Sequence, residues 1–320
     1  MLEVDDLRIR LHGTELVRGL SFTLGAGETL GLIGESGSGK TLTALALMGL
    51  LPDGAQLSGS ILFKGQDLTA LADKAWGALR GRRIAMVFQE PMTALNPLHR
   101  VGDQVAEPRR LHLARRAGEA RQEAVELLRY VGLADPARIA DSYPHQLSGG
   151  QRQRVGIAMA LACGPELLIA DEPSTALDAS QQAHVLATLA AMAAERGMAL
   201  LLISHDLALV ARQAQRLLVM YAGQGVEQGP AAALLGGGAA HPYTQGLLAA
   251  RPRIGVARGE RLPALPGTAP ELAELRGGGC AFRERCRLAQ EACRKSPPLF
   301  AVDPAHWSRC LRVEEALREH

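Results

Sequence analysis

The stretch that decides the fold lies between a short apolar strand, Thr29 to Ile33, and a helical pattern, Thr41 to Leu50, and it reads Gly34-Glu35-Ser36-Gly37-Ser38-Gly39-Lys40-Thr41. It matches the pattern G-x-x-x-x-G-K-[ST] in full and in the strand-to-helix context that the pattern requires. Glycines let successive backbone N–H groups turn inward, and a helix N-terminus adds partial positive charge. We expect this segment, called the phosphate loop below, to bind nucleotide phosphates. Lys40 would reach the β- and γ-phosphates, and the Thr41 hydroxyl would bind Mg²⁺.

A nucleotide site also needs a carboxylate for Mg²⁺ at the end of a neighbouring strand. Asp171 and Glu172 supply two carboxylates directly after the apolar run Leu167 to Ala170. Ligands bind beyond the carboxyl ends of parallel strands. We therefore expect Asp171 to hold Mg²⁺, directly or through water, and Glu172 to act as the general base on the attacking water.

The rest of the pattern indicates an α/β protein. The first thirty residues alternate loosely and predict antiparallel strands. The continuous apolar runs at 167–170 and 199–203 are typical of parallel strands buried on both faces. A helix over Ala179 to Arg196 is predicted between these two runs, and a long helical stretch over Val105 to Val131 is predicted before them. Alternating strands and helices predict a central, mostly parallel sheet.

Composition excludes several other classes of protein. The chain has 320 residues, with 35 Lys and Arg against 33 Asp and Glu, for a net charge of +2. That balance argues against a surface built to hold nucleic-acid phosphates. The N-terminus lacks the basic and apolar regions of a signal peptide. No apolar run approaches the ~20 residues that span a bilayer, so we expect any membrane span to belong to another chain.

Six motifs in order over residues 30–206 resemble those of the ABC-type ATPases. Besides the phosphate loop and the Asp171–Glu172 pair, they are a Q-loop at Gln89, a signature at Leu147-Ser148-Gly149-Gly150-Gln151, a D-loop at Ser174-Thr175-Ala176-Leu177-Asp178 and a switch histidine, His205. The resemblance implies a P-loop NTPase (RecA-like) core with an antiparallel β subdomain and an α-helical subdomain. It also implies that the chain hydrolyses ATP with Mg²⁺ as cofactor.

The resemblance assigns further roles to these motifs. Gln89 senses Mg²⁺, and His205 contacts the γ-phosphate and orients the water with Glu172. The signature residues 148–151 and Asp178 face the nucleotide of a second, homologous or identical ATPase subunit, so that two nucleotides are sandwiched in a head-to-tail dimer. The family usually stacks an aromatic residue on adenine shortly before Gly13. Here the nearest residues are Leu11 and His12, and neither is Phe, Tyr or Trp. His12 is the candidate for a weaker stacking contact with adenine.

Three further segments resemble the importers of oligopeptides, dipeptides and nickel. They are Glu90-Pro91-Met92-Thr93-Ala94-Leu95-Asn96-Pro97-Leu98, Tyr143-Pro144-His145-Gln146 and His241-Pro242-Tyr243-Thr244. The resemblance implies that two transmembrane permease subunits contact the groove near Gln89, that an extracytoplasmic solute-binding protein acts indirectly, and that no nucleic acid is bound. It places the chain at the cytoplasmic face of the inner membrane, as a peripheral subunit.

The C-terminal region differs in composition from the rest. A flexible-linker composition, Leu235-Gly236-Gly237-Gly238-Ala239-Ala240, precedes a Pro- and Gly-rich stretch that carries Cys280, Cys286, Cys293 and Cys310. We expect an ABC-type domain over 1–234, with its helical subdomain at about 92–160, and a linker plus a small, irregular, Cys-bearing domain over 235–320. The lone Cys163 is expected to be a small core residue.

The four clustered cysteines leave three alternatives open. Their spacing is not that of common zinc sites. Residues 279–286 resemble the C-terminal domain of peptide-importer ATPases, some of which carry a 4Fe–4S cluster, and four Cys ligands suit that cluster. The neighbouring Arg283, Arg285, Arg287 and Arg294 would offset its negative charge. Zinc, or free thiols, are the alternatives.

The function expected from the sequence is the ATP-hydrolysing subunit of an importer of oligopeptides or dipeptides. One alternative keeps the role and changes the solute to nickel or another small molecule, since the permease and the binding protein choose the solute. The other is an ABC ATPase of DNA repair or translation. The short distance between Lys40 and Ser148, without heptads, argues against repair proteins, and the single cassette argues against the translation factors.

Overall fold

The structure is a computed structural model, and it describes residues 1–89, 95–173, 179–250, 264–270 and 278–318, with the side chains of 179–181 left aside. The chain divides into two compact units. The first comprises Met1, Leu24–Thr29 and Ala70–Ile203, and the second comprises Leu2–Thr23, Leu30–Thr69 and Ser204–His320.

Strands and helices follow one another along most of the described chain. The strands are β1 (Leu2–Leu11), β2 (Thr14–Leu24), β3 (Thr29–Ile33), β4 (Gln56–Phe63), β5 (Gln66–Asp67), β6 (Ile84–Val87), β7 (Leu167–Asp171), β8 (Ala199–Ser204), β9 (Arg216–Tyr221), β10 (Gln224–Pro230), β11 (Phe300–Asp303) and β12 (His306–Ser308). The helices are α1 (Lys40–Leu47), α2 (Asp73–Trp76), α3 (Val101–Leu113), α4 (Ala117–Tyr130), α5 (Pro136–Asp141), α6 (Gly149–Leu161), α7 (Ala179–Arg196), α8 (Leu207–Ala211), α9 (Ala231–Ala233), α10 (Pro242–Ala249) and α11 (Val313–Arg318).

The second unit contains the predicted antiparallel strands. β1 and β2 are joined by the two-residue turn His12–Gly13, in which both residues have positive φ, 48° and 79°. Such turns match the twist of the strands that they connect. The sheet has the order β2-β1-β4-β5, and β1 pairs with β4 from Leu2 opposite Phe63 to Arg10 opposite Gln56.

The same unit contains the strand that leads into the phosphate loop. β3 is buried along its whole length and pairs in parallel with β9, with Leu30 opposite Arg216 and Ile33 opposite Val219. β9 then pairs antiparallel with β10, and β10 with β12. The C-terminal strands therefore continue the sheet that holds β3 and β9.

The first unit contains the predicted parallel strands. β6, β7 and β8 pair in parallel, with Ile84 opposite Leu167 and Leu167 opposite Ala199. All residues of β7 and β8 except Ser204 are at most 1% exposed. Strands of this kind are nearly continuously hydrophobic because both of their faces are covered.

The long helical stretch predicted over 105–131 is two helices, and that prediction is wrong in its continuity. α3 ends where Ala114 takes a left-handed conformation with φ of 52°, and α4 begins after Arg116, whose backbone is extended. The break lets α3 and α4 pack against each other, with Val105 and Leu128 fully buried. The gain from burying both apolar faces outweighs the continuity of one helix.

The segment at 235–240 also differs from its expected flexible-linker character. Leu234–Gly238 forms one helical turn, with a break at Gly237. Ala239 and Ala240 are fully buried, and the N–H of Ala240 donates to Glu227 Oε1. Within the described residues, no helix is long and apolar enough to cross a membrane.

Candidate functional site

The phosphate loop of the second unit lies between β3 and α1, as the sequence predicts. A Cβ on Gly34 would lie 2.3 Å from the carbonyl oxygen of Met220, so only glycine fits where the loop leaves the sheet. Gly39 caps α1 with φ of 100°, a conformation that side chains disfavour. These glycines give the loop its shape and leave the first turn of an eight-residue helix open at its N-terminus.

The ammonium group of Lys40 lies inside this loop. Its Nζ donates to the carbonyl oxygens of Gly34, at 2.8 Å, and of Glu35, at 2.9 Å, and the residue is 5% exposed. Ser36, Gly37 and Thr41 are exposed around it. The loop thus combines a buried cation, a helix N-terminus and an exposed hydroxyl, the donor set that binds phosphate groups.

The two predicted carboxylates lie at the carboxyl end of β7, in the first unit. Asp171 is 1% exposed and is the last residue of the strand. Glu172 follows with φ of 45°, and its N–H donates to the carbonyl of Ile203 at 2.9 Å. A left-handed residue directly after a buried strand is uncommon and turns the chain sharply.

The structure brings Gln89 and Glu172 together. Gln89 Nε2 donates to Glu172 Oε2 at 3.3 Å, and both residues belong to the first unit. The Q-loop residue thus contacts the carboxylate expected to act as general base.

Ser148 begins α6 through a capping box with Gln151. Ser148 Oγ accepts the N–H of Gln151 at 3.3 Å, and the side chain of Gln151 accepts the N–H of Ser148 at 2.9 Å. A Cβ on Gly149 would meet no atom within 4 Å. The signature therefore places an exposed Ser148 and an uncrowded Gly149 at a helix N-terminus, the kind of position that suits an anion.

His205 and His12 belong to the second unit, and both are exposed. His205 follows β8, and the next residue, Asp206, caps α8 by accepting the N–H groups of Ala208 and Leu209. His12 lies in the turn between β1 and β2. Asp178 and the rest of the predicted D-loop, together with residues 90–94, lie outside the described residues.

Two side chains that the sequence analysis did not assign to the site contact the phosphate loop. The hydroxyl of Tyr243 accepts the N–H of Glu35 at 2.9 Å, and the guanidinium of Arg285 binds the Glu35 carboxylate. Tyr243 belongs to the importer-like segment His241-Pro242-Tyr243-Thr244, so its presence was noted without its partner. Contacts over 208 and 250 positions leave no local signal in the sequence.

The four clustered cysteines are free thiols, with Cys293 and Cys310 buried. Burial raises the pKa of Cys310 to about 12, and the other three thiols lie close enough to add to that increase. Burial also raises the pKa of Cys280 and Cys286. Metal binding requires the thiolate form. Among the residues that the structure describes, no group of three or more His, Cys, Asp and Glu side chains is arranged to hold a metal ion. The expected 4Fe–4S cluster is not supported.

The arginines expected to offset a cluster's charge bind other partners. Arg285 binds Glu35, Arg283 binds Glu284, Arg287 binds Gln245 and Arg294 binds Glu291. Cys163 lies two residues beyond α6, is partly buried, and has its pKa raised by burial.

Family models and relatives of this chain are those of ATP-binding transport proteins. The family model described as "ABC transporter" matches residues 17–175, and the one described as "Oligopeptide/dipeptide transporter, C-terminal region" matches residues 226–293. A peptide import ATP-binding protein of Brucella melitensis is 48% identical over 321 residues, 96% of this chain and 94% of the relative. A peptide ABC transporter ATP-binding protein of Sinorhizobium fredii is 45% identical over 324 residues, 99% of this chain and 96% of the relative.

Solved structures resemble the larger part of the chain. A dimeric post-hydrolysis state of the ATP-binding cassette MJ0796, bound to ADP and Pi, covers 72% of this chain and 99% of that one, with a TM-score of 0.65 and 26% identity. The protein cbiO1 from Clostridium perfringens, described as part of an ABC transporter complex, covers 73% of this chain and 90% of that one, with a TM-score of 0.63 and 26% identity.

Proposed function

This chain belongs to the ABC transporter family of ATP-binding proteins and carries the oligopeptide/dipeptide C-terminal region of that family, and we propose that it hydrolyses ATP to power uptake of oligopeptides or dipeptides through a separate permease. The observation that carries the proposal is the phosphate loop, with Lys40 buried against its carbonyls at the start of α1. The full-length similarity to peptide import proteins supports the solute class.

The phosphate loop binds the triphosphate in this proposal. Backbone N–H groups of residues 34–41 surround the phosphates, and Lys40 exchanges its two carbonyl partners for β- and γ-phosphate oxygens. Thr41, Asp171 and Gln89 would hold Mg²⁺, which when bound would stabilise the developing charge on the phosphates. The exposure of Thr41 and the position of Asp171 at a strand end support these roles.

Hydrolysis begins at Glu172. Its carboxylate takes a proton from water as the water oxygen bonds to the γ-phosphorus and the bond to the β-phosphate oxygen breaks, which leaves ADP and phosphate. Gln89, in contact with Glu172, orients the carboxylate, and His205 contacts the γ-phosphate. His12 stacks on the adenine base.

A second ATPase subunit, identical or homologous, completes each site. Ser148, Gly149, Gly150 and Gln151 of one subunit face the γ-phosphate on the other, together with Asp178. The position of the exposed Ser148 at the N-terminus of α6 and the free space beside Gly149 support this arrangement. Two solved structures of one relative, MJ0796, are described as dimeric.

The transmembrane permease docks on the first unit, near Gln89. Three exposed apolar side chains of this unit are candidates for the contact: Phe88 at 43%, Leu98 at 82% and Leu111 at 72% exposure. Closure of the ATPase dimer on ATP then moves the permease. The chain thus acts as a peripheral subunit on the cytoplasmic side of the membrane. An extracytoplasmic binding protein delivers the solute.

The domain limits that accompany this proposal are 1–234 for the ABC-type domain, with a helical subdomain at about 92–160, and 235–320 for the C-terminal region.

A 4Fe–4S cluster on Cys280, Cys286, Cys293 and Cys310 is a separate proposal. An N–H donated by Arg312 to Cys310 Sγ at 3.3 Å supports it, because hydrogen bonds to the sulfurs tune such clusters. No step of ATP hydrolysis is assigned to it. Iron and sulfide analysis of anaerobically prepared protein tests it, and colourless, iron-free protein excludes the cluster.

The function is tested by purifying the chain with its permease and reconstituting both in vesicles. We expect ATP-dependent uptake of labelled di- to pentapeptides that is lost in the Glu172→Gln complex. Uptake of Ni²⁺ instead of peptides would keep the role and change the solute. Recovery of the chain with ribosomes or DNA, and not with a polytopic membrane protein, would refute the transport function.

A further inference from the structure

The carboxylate of Glu35, the second residue of the phosphate loop, binds a side chain of the C-terminal region. Arg285 Nη1 donates to Glu35 Oε2 at 2.7 Å, and Nη2 donates to Oε1 at 3.0 Å. This is the two-bond geometry that a guanidinium makes best with a carboxylate. The Arg285 side chain is 6% exposed, and that of Glu35 is 26% exposed, so the pair is largely shielded from solvent.

Further bonds hold the guanidinium in place. Arg285 Nε donates to the carbonyl of Pro266 at 2.7 Å, and Nη1 also donates to the hydroxyl of Tyr221 at 3.2 Å. The carboxylate of Glu35 and the Tyr221 hydroxyl raise the pKa of Arg285, so it stays charged. The four hydrogen bonds of the Arg285 guanidinium and its burial therefore fix its orientation.

The backbone of Glu35 is held as well. Its N–H donates to the Tyr243 hydroxyl at 2.9 Å, and its carbonyl accepts from Lys40 Nζ at 2.9 Å. The chain has only 5 Phe, 4 Tyr and 2 Trp. Three of these rings, those of Tyr221, Tyr243 and Phe282, pack against one another, and Tyr243 is the one that binds Glu35. The ring centroids of Tyr221 and Tyr243 are 4.6 Å apart, and Phe282 lies 5.2 and 5.3 Å from them.

The cysteine-bearing segment of the C-terminal region positions Arg285 beside Glu35. Phe282 is 2% exposed, and Arg283–Arg285 form a short helical turn after it. Within the turn, the N–H of Arg285 donates to the carbonyl of Phe282 at 3.0 Å. Arg283, two positions earlier, points to Glu284 and is far more exposed.

We propose that Arg285 is a positioning residue for ATP binding: it neutralises the Glu35 carboxylate beside the phosphate loop and holds the loop in its binding conformation. This rests on the proposed function of the loop as a triphosphate site. An uncompensated carboxylate at the second loop position repels the negative charges of the triphosphate, because Coulomb energies are large where solvent is partly excluded. A loop held in place beforehand also loses less conformational entropy on binding.

The test is a mutant cycle on the full-length chain, read out as ATP affinity, KM and kcat. We expect Arg285→Met to raise KM for ATP about tenfold with kcat within about twofold, because it exposes the loop to an unpaired charge. Glu35→Gln, which removes the carboxylate together with its bond to Arg285, is the second single variant of the cycle. In the double variant, affinity returns to within about threefold of the wild type, since the repelling charge is gone.

Two further variants keep the test decisive. Arg283→Met removes the same charge from the same turn and leaves KM unchanged. Arg285→Lys keeps the charge but not the two-bond geometry, and raises KM about threefold, which covers the case in which Arg285→Met does not fold. A double variant as weak as Arg285→Met, or an Arg285→Lys variant with the wild-type KM, overturns the proposal, because a purely structural role gives no recovery.

Lys40→Ala, measured in parallel, separates this proposal from the function on which it rests. If wild-type protein binds no ATP, or Lys40→Ala binds it equally well, the loop is not a triphosphate site and both proposals fail. If Lys40→Ala weakens binding and Arg285→Met does not, only the role of Arg285 fails.

Discussion

The amide of Gln89 donates to the carboxylate of Glu172 at 3.3 Å, across 83 positions of the chain. The contact joins the end of β6 to the end of β7, two adjacent parallel strands of the first unit. The bond fixes the direction of the Glu172 carboxylate without adding a net charge beside it. Gln89 is therefore placed to orient the proposed base.

Glu172→Gln removes the proposed base and retains the size of the side chain. We expect steady-state ATP hydrolysis to fall at least about 100-fold while ATP affinity stays within about threefold, because ground-state contacts survive. Phosphate release and nucleotide titration measure the two quantities, and gel filtration with ATP should show an accumulated dimer. Glu119→Gln, at an exposed position of α4, is the control. Full turnover in the Glu172 variant would refute the role.

Gln89→Ala removes the donor to Glu172 and leaves the carboxylate in place. We expect kcat to fall about tenfold, because the lost bond positions the base, with a smaller rise in KM for ATP through the lost contact with Mg²⁺. The pre-steady-state rate of phosphate formation measures it directly. An unchanged kcat would show that the contact has no part in hydrolysis.

Lys40→Ala removes the cation from the phosphate loop. A charge-assisted hydrogen bond contributes about 1.5–3 kcal/mol, so ATP affinity should fall roughly 10- to 100-fold. Fluorescent nucleotide titration measures this, and Lys74→Ala, at an exposed position of α2, should bind like the wild type. Since Lys40 also bonds the carbonyls of Gly34 and Glu35, the thermal midpoint is recorded beside the affinity. Wild-type affinity in a folded Lys40→Ala protein would contradict the site.

Glu227→Ala should strongly destabilise the second unit. Glu227 is fully buried and accepts the N–H groups of Ala240 and His241, and His306 Nε2 lies 2.8 Å from its Oε1. Alanine leaves these donors without an acceptor, which costs about 3–5 kcal/mol. Thermal and denaturant unfolding measure the loss, with the exposed Glu314→Ala on α11 as control. Equal midpoints for the two variants would contradict this role.

Acid should destabilise the protein through His241. Burial lowers the pKa of His241 to about 3, against about 6.5 in the unfolded chain. Between these values the unfolded state binds the proton and the folded state does not. Stability therefore falls as the pH drops from about 6.5 towards 3, by at most about 1.4 kcal/mol per pH unit for this one group.

The comparison with His241→Asn isolates that contribution. His241 Nδ1 accepts the N–H of Tyr243 at the start of α10, and Asn supplies a similar acceptor that does not titrate. As the pH falls from 6.5 to 4, the unfolding free energy of the wild type should decrease more than that of the variant, so that the variant becomes relatively more stable. Parallel pH profiles would show that the pKa of His241 is the same in the folded and unfolded states, and would contradict the expected destabilisation.

Much of the fold and of the site was predictable because its signals are local. The phosphate loop needs eight consecutive residues, and its glycines are required by contacts such as that of Gly34 with Met220. β3, β7, β8 and α7 were predicted because buried strands and a helix leave a pattern in adjacent residues. The break at Ala114 was missed because the packing of α3 on α4 decides it, and the local pattern on both sides is helical.

By itself, the sequence determined which residues form the ATP motifs and in what order they occur, since each motif is a contiguous segment with its own backbone requirements. Only the tertiary structure decided that Arg285 binds Glu35 and that Ala239 and Ala240 are buried under Glu227. It also assigned the arginines of the C-terminal region to partners other than a metal cluster. The reason is physical. A charged side chain takes the partner that packing brings within hydrogen-bond distance, and no periodicity in the chain records which distant residue that is.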